Sequence, residues 1–155
     1  GLIPRTFSGL LGIITAPFLH GGLYHILSNT MAFIPFIVIF SILEGKDTFE
    51  KMLFIVLVGG FLTWLFGRSA IHIGASGLIF GLYGYLASLG FFKRSLSSIL
   101  VSLFMIFSYG YMILGVLPSL SPMGRSISWE GHLFGLIAGV ALAKIESSPK
   151  MKKLT

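Results

Sequence analysis

Residues 18–43 read Phe-Leu-His20-Gly-Gly-Leu-Tyr-His25-Ile-Leu-Ser-Asn29-Thr-Met-Ala-Phe-Ile-Pro-Phe-Ile-Val-Ile-Phe-Ser-Ile-Leu, without one Lys, Arg, Asp or Glu. A helix needs about 20 largely apolar residues to cross the hydrocarbon of a bilayer, and this run exceeds that. His25 and Asn29 lie near its first end, four residues apart and therefore on one helical face. A polar pair inside a membrane helix needs partners, so the rest of the chain is read for what meets it.

Four further apolar stretches follow, at about 49–66, 76–92, 96–117 and 129–145. Short connections join them, so the sequence predicts an all-α, polytopic membrane helical bundle with five visible spans. Composition agrees: of 155 residues, 55% are hydrophobic and 10% charged, against about 25% charged in ordinary soluble domains. The mean hydropathy is +0.94. Residues 1–146 read as one membrane domain and 147–155 as a basic cytoplasmic tail. The absence of cysteine excludes disulfides, thiolate nucleophiles and thiolate metal sites.

The formal charge of +6 could point to nucleic acid, but its distribution points to topology. With the N-terminus outside, the inner side carries Lys46, Lys51, Lys93, Arg94, Lys144, Lys150, Lys152 and Lys153, and the outer side Arg5, Arg68 and Arg125. That asymmetry is the positive-inside pattern; the partner it implies is the lipid bilayer, not nucleic acid. Trp64, Trp129 and Tyr24 read as interfacial anchors. The chain opens on Gly1, and five spans put its ends on opposite sides, so it reads as lacking an earlier segment. No signal peptide is recognisable.

Depth brings the polar residues together. The stretches at 76–92 and 129–145 are short, about 25 Å at 1.5 Å per residue. Ile73-Gly74-Ala75-Ser76-Gly77 enters the first of them from outside, and non-helical backbone at that depth must line a cavity or be buried in protein. Ser76 opens that span, His132 lies one turn into the last span, and His25 and Asn29 sit at similar depth. Gly77 and Gly81 form one small-residue face, with Gly84 nearby; Gly131, Gly135 and Gly139 form another. Such faces let membrane helices approach closely, bringing Ser76 within reach of His132.

Intramembrane peptide hydrolysis has few chemistries. His-Glu-x-x-His, the zinc signature, is absent, and Asp47 in a cytoplasmic loop is the only Asp, leaving no aspartyl dyad. Serine chemistry needs a hydroxyl, a base and oxyanion donors, and Ser76, His132, His25 and Asn29 supply them. Apart from Glu130 beside His132, no carboxylate lies near, so a Ser–His dyad is expected. Each residue also has a plainer reading: Ser76 as a helix cap, His132 as a packed histidine, Asn29 as a bridge between helices. His72 falls in the loop before Ser76 and receives no catalytic role.

Gly74-Ala75-Ser76-Gly77 resembles the Gly-x-Ser-Gly motif of rhomboid intramembrane proteases. The stretch from Gly131-His132 through Gly135 to Gly139 is similar to their His-x-x-Gly-x-x-x-Gly helix, and His20-Gly-Gly with His25 and Asn29 to their His-Gly-Gly…His-x-x-x-Asn segment. The resemblance covers nearly the whole chain in register. It implies a serine endopeptidase with Ser76 as nucleophile and His132 as base. It also implies oxyanion donors from His25, Asn29 and the Ser76 N–H, with Gly74, Gly77, Phe80, Gly135, Gly139 and His20 in support. Neither metal nor other cofactor is implied. The partners are transmembrane protein substrates with helix-breaking or small residues near the outer interface, and the location is a plasma or inner membrane. The 118–128 segment, with Pro118, Pro122 and Gly124, and the span before it would gate and cap the site.

The departures are specific. The family core has six spans and the first is not seen here; a Trp-Arg signature is missing, with Pro4-Arg5 the nearest basic element. Phe80 stands where many relatives have Tyr, and Gly131 where Ala is commoner. Two rivals stand beside the protease reading: a non-catalytic relative that binds membrane helices, and a haem-binding or transport protein using His25 and His132, which leaves the Gly-Ala-Ser-Gly segment without purpose.

Overall fold

The computed structural model describes residues 1–117 and 128–148; the 118–127 part of the expected cap, and the end of the basic tail, lie outside them. Among the described residues there are six α-helices: α1 (Phe7–Thr15), α2 (Leu23–Glu44), α3 (Thr48–Phe66), α4 (Ser76–Lys93), α5 (Leu96–Tyr109) and α6 (Trp129–Glu146). Three 3₁₀ segments, Ala16–Phe18, Gly45–Asp47 and Gly110–Val116, extend or join them. Helices α3, α4 and α6 coincide with their expected spans to within a few residues, while α2 starts five residues later than expected and α5 ends at Tyr109, the remainder of the expected 96–117 span being the 3₁₀ segment Gly110–Val116.

Two differences have physical causes. The first long helix starts at Leu23 rather than Phe18, because Pro17 sits in a 3₁₀ turn and Gly22 is extended at φ 161°, ψ 173°. A helix the sequence reading did not include, α1, precedes it. Thr6 caps α1 by accepting the Gly9 N–H at 3.0 Å. Its glycines lie on the entering chain: a Cβ on Gly9 would stand 1.9 Å from the Ile3 carbonyl oxygen. At nine residues, or about 14 Å, α1 is too short to cross a bilayer.

The bundle is apolar on its outside as well as in its core, with a few polar side chains buried among the helices. Leu27, Met31, Ile34, Val38 and Ile42 run down one exposed side of α2, and Leu100, Phe104 and Phe107 down α5. An apolar surface of that extent belongs against lipid or protein, not water. The runs Leu23–Phe66 and Leu96–Val116 each contain an 18-residue stretch apolar enough to cross a membrane, with mean hydropathy 2.2 and 2.1. Helices α4 and α6 are less apolar because their faces meet protein. α4 is the centre, packed against α2, α3, α5 and α6, and buries Ile79, Leu82, Tyr85, Leu86 and Leu89.

Glycine sets the distances between α3, α4 and α6. A Cβ on Gly135 would lie 2.0 Å from the Gly77 carbonyl oxygen, one on Gly139 1.9 Å from that of Gly81, and one on Gly59 3.1 Å from the Gly135 Cα. At the end of the bundle opposite Ser76, the Lys51 ammonium pairs with both Glu44 and Glu146. Tyr85 Oη donates to Glu44 Oε1 at 2.7 Å. Four helices are thereby joined. Lys51, counted above among the orienting charges, is neutralised by two carboxylates and 7% exposed. The Trp64 indole, read above as an interfacial anchor, donates to the Thr6 carbonyl at 2.9 Å.

Candidate active site

Ser76 is the first residue of α4, and the chain reaches it through a bend that only glycine accommodates easily. Gly74 has φ +108°, where a side chain is strained. A Cβ there would also lie 2.6 Å from His25 Nε2 and 3.3 Å from Asn29 Nδ2. The bare glycine lets both side chains of α2 close on the backbone two residues before the serine. The Gly74 N–H, donating to the Ala16 carbonyl at 2.9 Å, pins this bend to the end of α1.

His132 meets Ser76 from α6. Its Nε2 stands 2.9 Å from Ser76 Oγ, and its Nδ1 lies 3.0 Å from the Gly115 carbonyl oxygen. A carbonyl only accepts, so Nδ1 carries the proton and Nε2 presents its lone pair to the hydroxyl. The third group behind the imidazole is therefore backbone: Glu130 faces the Arg68 N–H at 3.3 Å and the Arg68 guanidinium at 3.4 Å instead. Phe80, one turn below Ser76, lies flat on the His132 ring, centroids 4.2 Å apart and planes 7° apart. Gly115 itself is close: a Cβ there would meet the Phe80 ring at 2.8 Å.

His25 takes the Gly21 N–H on Nδ1 at 3.4 Å, which leaves the proton on Nε2, the atom facing Gly74. His20 stands edge-on to the His25 ring at 5.1 Å. Asn29 is buried and its Nδ2 has no hydrogen-bond partner, which for a buried amide is costly unless a ligand supplies one. Ser76, His132, His25, Asn29, Phe80, His72 and Ser128 all line one cavity of about 600 Å³, with Tyr24 and Ala32 of α2 and Met112 of the 3₁₀ segment after α5. The arrangement offers a hydroxyl bonded to a neutral imidazole, two N–H donors from α2, and the free N–H groups that open any helix. These are the parts of an acyl-transfer site. Both His132 nitrogens have protein partners, the Gly115 carbonyl and the Ser76 hydroxyl. Among the described residues no cluster of three His, Cys, Asp or Glu side chains could hold a metal.

Two participants escaped the sequence reading. The Gly115 carbonyl is a backbone group and leaves no mark in a sequence. His72, buried and hydrogen-bonded to Ser128 at 2.5 Å, had a signal: it precedes Ser76 by four residues, as Ser128 precedes His132.

A family model described as the Rhomboid domain matches residues 8–149. An uncharacterized protein of Mycobacterium tuberculosis is 39% identical over 98% of this chain and 65% of its own length. Rhomboid-like protease 3 of Toxoplasma gondii is 31% identical over 89% of this chain and 54% of its own. The mitochondrial RHOMBOID-like protein 6 of Arabidopsis thaliana is 32% identical over 86% and 42%. The chain thus spans less than two thirds of the length of these curated relatives. No solved structure matches it significantly.

Proposed function

The chain belongs to the rhomboid family, and from that premise we propose that it is an intramembrane serine endopeptidase cutting membrane-anchored substrates near the outer interface with a Ser76–His132 dyad. The observation that carries the reading is the 2.9 Å contact between Ser76 Oγ and His132 Nε2, in a cavity that also holds His25 and Asn29.

His132 Nε2 takes the Ser76 proton as Oγ bonds to a substrate carbonyl carbon. The Gly115 carbonyl, on Nδ1–H, keeps the ring in the required tautomer and stabilises the imidazolium that forms. Negative charge collects on the former carbonyl oxygen, where the Ser76 N–H, the Asn29 amide and His25 Nε2–H donate. One such donor typically contributes about 3 kcal/mol to the transition state, and the start of α4 adds its positive dipole end. His132 gives its proton to the leaving amine as the C–N bond breaks. It then deprotonates a water that attacks the acyl carbon, and Ser76 leaves as the alcohol.

A helical substrate hides its carbonyls in i→i−4 bonds, so the enzyme acts on backbone that unwinds near the outer surface. Small or helix-breaking residues favour such unwinding. The charge asymmetry supports a plasma or inner membrane location, with the cavity open to the outside and the C-terminus in the cytoplasm.

The test is labelling in detergent or nanodiscs with a fluorophosphonate, alongside cleavage of a model transmembrane substrate. Wild type labels at Ser76 and cleaves; Ser76→Ala and His132→Ala keep their helix content and do neither. A folded wild type that never labels, or turnover surviving in either variant, refutes the dyad and leaves a non-catalytic rhomboid-like protein that binds membrane helices.

A further inference from the structure

Nucleophile and base arrive on different helices, both close to a helix start. The glycine contacts between α4 and α6 start beside the dyad, where a Cβ on Gly77 would lie 3.3 Å from the Gly131 carbonyl oxygen, and run on through Gly135 and Gly139; they join the two helices but not the segment that precedes Ser76. Ser76 lies at the end of α4, where backbone bonding is incomplete, after an irregular segment that runs from the end of α3. Something above the seam must hold that segment to α6.

His72 is the fixed point of the segment. Its N–H and C=O bond to Leu2 at 2.8 and 2.9 Å, and its ring is buried. Nε2 lies 3.2 Å from the Arg68 carbonyl oxygen, which only accepts, so that nitrogen carries the proton. Nδ1 is then an acceptor, and the group it faces at 2.5 Å is the Ser128 hydroxyl. Ser128 belongs to the start of α6, where its carbonyl accepts the His132 N–H at 3.2 Å. The same residue therefore grips the nucleophile's segment with its side chain and the base with its backbone. A second tie runs parallel: Glu130, only 2% exposed, accepts the Arg68 N–H at 3.3 Å.

We infer that His72 and Ser128 are positioning residues, a buried clasp that Glu130 seconds, holding the nucleophile's segment to the base's helix and so setting the Ser76–His132 distance. Both line the large cavity, and both line a smaller hollow of about 60 Å³ that Ser76 also lines. The inference rests on the protease reading.

The experiment uses the full chain in nanodiscs with Ser128→Ala, His72→Ala, the double variant and Ser128→Thr. A misplacement of 1 Å can cost about 100-fold in rate, and a partial relaxation should cost about 10-fold. Each alanine variant is expected to lower kcat by about that factor, with KM within about twofold. Fluorophosphonate labelling of Ser76 slows in step. Ser128→Thr keeps the hydroxyl and recovers most of the rate, and the double variant is no slower than the slower single. Unchanged kcat, losses that multiply in the double variant, failure of threonine to rescue, or labelling of Ser128 in a Ser76→Ala background each overturn the clasp. If wild type neither labels nor cleaves, the protease reading fails by itself. The clasp is then judged by ¹⁵N-histidine spectra: removing the Ser128 hydroxyl must shift the His132 ring resonances, and unmoved resonances refute it.

Discussion

Adding one methyl group at Gly135 tests whether the seam between α4 and α6 sets the chemistry above it. The new Cβ would stand 2.0 Å from the Gly77 carbonyl oxygen, and real Cβ atoms essentially never come under 3.0 Å. Because the obstacle is backbone, no side chain can swing aside, and the helices must part by about 1 Å there. Gly77 directly follows Ser76, and Gly135 lies one turn after His132, so little helix remains to absorb the movement. The 2.9 Å Oγ–Nε2 contact then opens beyond the roughly 2.6–3.2 Å over which a base takes a proton efficiently. A displacement of that size can cost about 100-fold. Overpacking costs about 1–3 kcal/mol of stability, within the 5–15 kcal/mol typical of folded domains, so the variant stays folded. The assay is kcat/KM on a model transmembrane substrate in nanodiscs, with helicity by circular dichroism and Ser76 labelling as companions. Gly110→Ala is the control, because a Cβ there meets nothing within 4 Å. A folded Gly135→Ala protein with wild-type kcat/KM refutes the idea that glycine contact governs the dyad.

Gly74→Ala combines backbone strain at φ +108° with a clash on the His25 ring, and should cost about 1–3 kcal/mol in stability together with most activity, read by thermal unfolding and turnover. Asn29→Ala should lower kcat by about 100-fold or more, as loss of an oxyanion donor does, while KM changes little; a rise in KM alone would make Asn29 a substrate-binding group. Phe80→Tyr should preserve the ring stack on His132 and activity, whereas Phe80→Ala frees the imidazole and lowers kcat. Lys51→Met leaves Glu44 and Glu146 facing each other without their cation and should destabilise the bundle by about 3–5 kcal/mol, measured by chemical or thermal unfolding. A compensating Glu44→Gln in the Lys51→Met background should recover part of that loss.

The long elements were legible because membrane burial imposes one requirement on every residue of a span. Apolar runs therefore marked α3, α4 and α6 almost to their ends, and overran α2 at its start and α5 at its end, where the chain stays apolar but leaves the α-helix. Helix α1 was not legible for the opposite reason. Phe7–Thr15 is as apolar as a span but too short to be one, and its glycines suggest a loop to a reader who cannot see what they touch. Gly9 and Gly12 are small because the backbone of Leu2 and Ile3 crosses them, a tertiary cause without a local signature. Gly59 is a similar case: its neighbour Gly60 is equally small in the sequence, yet Gly59 meets the Gly135 backbone on α6, and Gly60 meets Ile13 on α1.

At the site, legibility followed the chemistry of the group. A hydroxyl, two imidazoles and an amide inside an apolar chain are conspicuous, because each costs free energy to bury unpartnered, and their common depth suggested a meeting place. The parts that orient them are quieter. The Gly115 carbonyl belongs to every residue alike, so no pattern of side chains could single it out as the acceptor for His132 Nδ1. Glu130, two residues before His132, is the one carboxylate the sequence puts near the imidazole, and the sequence reading expects a Ser–His dyad without it. Helical geometry turns side chains two residues apart by about 200°, and Glu130 points toward Arg68. A short backbone acceptor in place of a carboxylate also spares the cavity a buried negative charge. An anion fixed behind the imidazole would stabilise the imidazolium at the expense of a second desolvated ion in the bilayer; a carbonyl dipole fixes the same tautomer without one. In a membrane-embedded site, the economical orienting group is the one already present in the backbone, and such groups come to light only through coordinates.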